Sequence, residues 1–106
     1  MNLQPKYFNF IQSGTKRIEL RLYDEKRRQI QLGDIIEFSD ASSTLKAEVV
    51  GLLRYATFTD LFADFPISIL ADASMTKPAL LAALESFYTP EKQAQFGVLG
   101  IRLKLI

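Results

Sequence analysis

Residues 16–22, Lys-Arg-Ile-Glu-Leu-Arg-Leu, alternate charged and apolar side chains with period two. Successive side chains of a strand point to opposite faces, so this spacing demands a β-strand with one face in a core. Ile18, Leu20 and Leu22 make the apolar face, while Arg17, Glu19 and Arg21 share the other with Lys16 at the strand's start. The second face has two readings. It is either a set of cross-strand ion pairs, each contributing little, or a polar readout site in which Arg21 offers a planar fork, Glu19 orients it and Lys16 adds a compact cation.

The remaining chain alternates strands with capped helices. Pro5 suits the first position of a helix running to Ser13 with Tyr7, Phe10 and Ile11 on its apolar side, and Gly14 stops it. Gly14 is also expected to turn the backbone amides of Thr15 and Lys16 toward one point, where an anion could sit. Asp24 is suited to cap a short helical turn, and Leu32-Gly33-Asp34 is a turn ahead of strand Ile35–Phe38. Thr44–Leu53 is the longest strand; its Val49–Leu53 run predicts burial on both faces, and Gly51 a bulge. Thr57 opens a short helix ended by Pro66, Thr76 caps one with Leu80, Leu81, Leu84, Phe87 and Tyr88 in a single stripe, and Thr89-Pro90 starts a last helix closed by Gly97. Val98–Ile106 reads as a strand with Leu99, Ile101, Leu103 and Leu105 inward; as an edge it would be guarded by Arg102 and Lys104, so a monomer is expected. Strands with helices inserted between them predict an α+β fold, a small mixed β-barrel flanked by helices.

Composition narrows the chemistry. A chain of 106 residues that is 48% apolar suffices for one core, so one domain over 1–106 is expected. With neither cysteine nor histidine, disulfides, structural zinc and histidine acid–base catalysis are excluded, and no metal or cofactor is expected. No signal peptide or long apolar run is present, which predicts a cytoplasmic protein without membrane contact. Net charge is only +1, yet residues 16–28 carry six cations against three anions. Lys26-Arg27-Arg28 within that stretch is a candidate for sequence-independent phosphate contacts. Tyr55, beside Arg54, is a candidate ring for stacking on a base, with a barrel-rim tyrosine as the plainer reading; Tyr88 reads as core.

The pattern Gly14-x-Lys16-x-x-Glu19-x-Arg21, with Leu32-Gly33-Asp34, Tyr55, Phe58 and the closing Tyr88…Gly97-Val98-Leu99-Gly100-Ile101, resembles the ASCH domain of the PUA-like superfamily. The resemblance spans nearly the whole chain. It implies a small barrel with the motif lining a cleft between barrel and helices, and a partner that is RNA, a nucleotide or a modified nucleoside. Site residues on that reading are Lys16, Arg17, Glu19, Arg21, Lys26, Arg27, Arg28 and Tyr55.

Some small bacterial ASCH proteins, which this chain also resembles, are amidohydrolases of N-acetylated cytidine nucleosides. They imply Lys16 as a catalytic residue, with a threonine three residues on and a distal glutamate. Here that position is Glu19, a carboxylate that favours the charged lysine and becomes the second candidate catalytic group. Asp72 stands where the distal acid is sought, and Thr15 and Thr57 are the candidate substitutes for the threonine.

Overall fold

The computed structural model describes residues Met1–Ile106. Its elements run α1 (Pro5–Gln12), β1 (Ile18–Leu22), a 3-10 turn (Arg27–Gln29), β2 (Ile35–Ser39), β3 (Thr44–Tyr55), α2 (Phe58–Asp64), α3 (Ile67–Leu70), α4 (Lys77–Glu85), α5 (Pro90–Phe96) and β4 (Val98–Leu105). The four strands form one antiparallel sheet in the order β1-β4-β3-β2. This is the expected α+β class, with the sheet curled into a half-barrel flanked by helices. No helix is long and apolar enough to cross a membrane.

The strand order corrects one expectation. β4 is central, between β1 and β3, and its first residues serve both faces of the sheet. Val98 joins Ile18, Leu20, Leu22, Phe58 and Leu61 on one side, whereas Leu99 and Ile101 join Ile11, Phe38, Ala47 and Val49 on the other. Gly100 lies between them because a Cβ there would meet Ile18 and Leu61 side-chain atoms at 3.1 Å. The edges are β1 and β2. The N-terminal segment covers the second: Ser39 donates its amide to the Met1 carbonyl and accepts from the Leu3 amide, around a parallel bridge with Asn2.

Local signals set most boundaries. Thr57, Thr76 and Thr89 each accept a backbone N–H three residues on, at 3.1–3.3 Å, and so start α2, α4 and α5. α4 nevertheless ends at Glu85, and the chain leaves the helix axis at Ser86. Phe87 is therefore 60% exposed rather than part of the apolar stripe. On α1 the buried residues are Phe8 and Ile11, so Phe8 takes the core position expected of its neighbours. The expected anion-binding turn does not form, because the amides of Thr15 and Lys16 both donate to the Phe10 carbonyl at 3.0 Å.

β3 contains the bulge expected at Gly51: the register with β4 slips between Val49 and Gly51. The slip turns Val50 outward, 44% exposed, instead of burying it as the apolar run predicts. Gly51 faces Arg102, whose Cβ would lie 2.9 Å from an added methyl. The obstructing atom is the root of a side chain on the central strand, so it cannot swing aside. Gly51→Ala should accordingly destabilise the fold by about 1–3 kcal/mol in urea unfolding; an unchanged midpoint would show that the bulge tolerates the methyl.

Candidate functional site

β1 is an edge strand, and its outward backbone groups belong to Ile18, Leu20 and Leu22, since the Arg17 carbonyl already accepts from Leu103 on β4. Unpaired edge groups invite foreign strands. Here the strand's own side chains fold back on them. Lys16 Nζ donates to the Ile18 carbonyl at 2.7 Å and to the Leu70 carbonyl of α3 at 2.6 Å. Glu19 Oε1 accepts the Leu20 amide at 2.9 Å and lies 3.7 Å from Lys16 Nζ. Glu19 Oε2 accepts from Arg21 Nη2 at 2.9 Å, and the same nitrogen donates to the Asn2 carbonyl at 3.3 Å. Arg21 Nη1 makes only a long 3.5 Å contact with the Tyr88 hydroxyl.

The network is buried despite its charge, with Lys16 and Glu19 at 3% and 5% exposure. Burial by itself would push the Glu19 carboxyl up, but Lys16, Arg21 and the Leu20 amide together hold it below its ordinary value of 4.5. For Lys16 burial prevails and lowers the ammonium below its ordinary 10.5, against the pull of Glu19. The carboxylate's effect expected from sequence is thus present and outweighed. Burial also acts to lower Arg21, and Glu19 and Tyr88 reverse it, leaving its guanidinium more firmly charged.

Around these residues lies a cleft of about 550 Å³, lined by Lys16, Glu19 and Arg21, by the rings of Tyr7, Phe87 and Tyr88, and by Asn2, Leu80 and Leu84 among others. It is bounded by β1, α1, α4 and the N-terminal segment. Glu19 is the one carboxylate in its wall. Tyr7, Phe87 and Tyr88, which the sequence places on apolar helix faces, are all wall residues of the cleft. For Phe87 and Tyr88 a signal was available: the Thr89-Pro90 cap requires the preceding helix to finish first, which frees both from its stripe.

Five expected site residues lie outside this cleft. Arg17 precedes β1 and is exposed, its Nε reaching only the Gly14 carbonyl at 3.4 Å. Tyr55 is at the far end of β3, with β4 between it and β1, and its hydroxyl donates to Asp64 at 2.5 Å. It does not line the cleft. Arg28 turns to Tyr23, its guanidinium carbon 5.2 Å from the ring centroid. Lys26 and Arg27 instead line a smaller cavity with Arg21. Of the amidohydrolase candidates, Thr57 caps α2 away from the others, whereas Asp72, which caps its own turn at the Ser74 amide, lies beside Thr15, itself donating to the Phe10 carbonyl; neither Asp72 nor Thr15 lines the cleft.

Removing Glu19 would leave two buried cations without their anion. Glu19→Gln should cost about 3–5 kcal/mol at neutral pH. Because the folded carboxyl is held low, its contribution is complete above about pH 4.5 and is lost as pH falls through the lower folded value. Urea stability of the wild type should drop over that acid range, and the variant should show a shallower drop. Equal acid limbs would mean that Glu19 is not the titrating group.

The ASCH domain family model matches residues 1–106. The crystal structure of hypothetical protein PH0355 superposes with a TM-score of 0.88 at 34% identity, covering 100% of this chain and 96% of that one. The solution structure of protein PF0455 from Pyrococcus furiosus superposes with a TM-score of 0.79 at 30% identity, covering 100% and 94%. No curated protein matches the chain in sequence.

Proposed function

The chain belongs to the ASCH domain family, and from that premise we propose that the cleft beside β1 binds a base of RNA or of a nucleotide. The observation that carries this reading is the composition of the lining: the rings of Tyr7, Phe87 and Tyr88 share the cleft with the Arg21–Glu19 ion pair. Rings offer flat faces to a base whatever its identity, and each stacked base contributes about 1–3 kcal/mol. The ion pair supplies the discriminating contact. Arg21 Nη1, held only by its long contact to Tyr88, is free to donate to a base edge, while Glu19 fixes the plane of the fork. A volume of about 550 Å³ suits a group of that size. The reading is of a monomeric cytoplasmic binding protein, with Arg21 as readout.

A second reading keeps one observation in its favour. Lys16 lines the cleft with its ammonium lowered by burial, which is how a lysine becomes a nucleophile or base in an amidohydrolase. Against it, Nζ is committed to two carbonyls at 2.6 and 2.7 Å, and the cleft's single carboxylate is engaged by Lys16 and Arg21.

Phe87 separates binding from stability, because it is exposed and supports no core. Phe87→Ala should weaken RNA or nucleotide binding by about 1–3 kcal/mol while the unfolding free energy changes by less than about 0.5 kcal/mol. A screen of tRNA, single-stranded RNA and modified nucleosides at low and physiological salt, with acetylcytidine hydrolysis followed in parallel, checks the proposal. Turnover by the wild type that Lys16→Met abolishes would replace the binding reading with the hydrolytic one, and unaltered affinity in Phe87→Ala would remove the stacking wall from it.

A further inference from the structure

A second cavity of about 300 Å³ adjoins the first. Asn2 and Arg21 line both, so the two share a wall. The remaining lining residues are Met1, Lys26, Arg27 and Ile30, and no carboxylate is among them. Arg21 and Arg27 are each engaged from behind through an Nη atom, by Glu19 at 2.9 Å and by Asp24 at 3.0 Å. In both, the Nε–H is buried and has no acceptor in the protein. A buried donor left in that state costs about 1–3 kcal/mol, and the two side chains that bear them line one small cavity.

The local fold fixes these groups rather than leaving them as a solvated charge run. Asp24 Oδ1 accepts the Arg27 amide at 3.1 Å and the Asp24 carbonyl accepts the Arg28 amide at 3.0 Å, which winds the 3-10 turn and directs Arg27 and Arg28 apart. Arg28 goes to Tyr23, and Arg27 goes to the cavity. Lys26 is exposed there and has no acidic partner, so its charge is uncompensated.

We infer that this cavity is a phosphate subsite of the ligand held in the cleft, and that the ligand is therefore a nucleoside phosphate rather than a free nucleoside. The inference rests on the base-binding reading of the cleft. A phosphate group offers several acceptor oxygens to donors arriving from different directions, which is what two guanidiniums and one ammonium on separate side chains present. Arg21 spans the shared wall. Its guanidinium group borders both cavities, so one residue sets the distance between the two parts of the ligand.

Calorimetric titration of the full chain with the four ribonucleosides, their 5′- and 3′-monophosphates and dinucleoside monophosphates tests this. For at least one base a monophosphate should bind about tenfold or more tightly than its nucleoside. In Lys26→Gln, whose exposed side chain supports no fold contact, that ratio should shrink by about threefold or more, with the thermal midpoint confirming an intact fold. A dinucleoside monophosphate that keeps the gain assigns the subsite to a phosphodiester within an RNA chain, and one that loses it assigns the subsite to a terminal phosphate. Equal affinity for nucleoside and monophosphate overturns the phosphate subsite and leaves the base cleft standing. Binding of neither at millimolar concentration overturns both.

Discussion

The contact on which this architecture depends is the folding back of Lys16 and Glu19 onto the outer backbone of β1. A half-barrel has two edges, and each exposes amides and carbonyls that cannot be buried unsatisfied. At β2 the answer is another piece of chain, the Met1–Leu3 segment. At β1 it is a pair of side chains of opposite charge, one for a carbonyl and one for an amide, with Arg21 added as a tie to the Asn2 carbonyl. Through Leu70 and Asn2 the same network draws α3 and the N-terminal segment to the edge. The cleft is the space these tethers leave beside α4.

Two demands therefore meet in the same three residues. The charges must stay paired because they are buried, and on the proposed binding reading a ligand must also find donors among them. The geometry divides the labour within one side chain: Arg21 Nη2 is held by Glu19 and the Asn2 carbonyl, while Nη1 has only its long contact to Tyr88. Such partial commitment is a conformational advantage, since a fork already fixed by one partner loses little freedom when it meets a second.

The strands were legible because period two is a strong signal, and so were the helix starts, where Thr57, Thr76 and Thr89 behave as their side-chain chemistry requires. The burial of Glu19 was not legible. Alternation marks it as a solvent-side residue, and only the tertiary covering of that face by α1, α4 and the N-terminal segment removes it from water. The central position of β4 left a trace in the unbroken apolar run Val98-Leu99-Gly100-Ile101, which fits a strand covered on both sides better than an edge. That Tyr55 lies away from the cleft was not legible, because adjacency to a basic residue in sequence says nothing of strand order. The division of Lys26-Arg27-Arg28 between a cavity and an aromatic ring depends on one 3-10 turn, which no compositional reading resolves.

The central strand of the sheet is also the last strand along the chain, and this has a kinetic meaning. β2 and β3 can pair as a local hairpin as soon as both exist, but Ile18 finds its partner only at Arg102. Until β4 arrives, β1 has nothing to pair with on its inner side, and the hairpin has nothing to pair with on its outer one. Closure of so long a loop is entropically slow, which sets this small domain among those whose folding rate is limited by topology rather than by local propensity. During synthesis the earlier strands must wait, half-solvated, for the ribosome to release the segment that joins them.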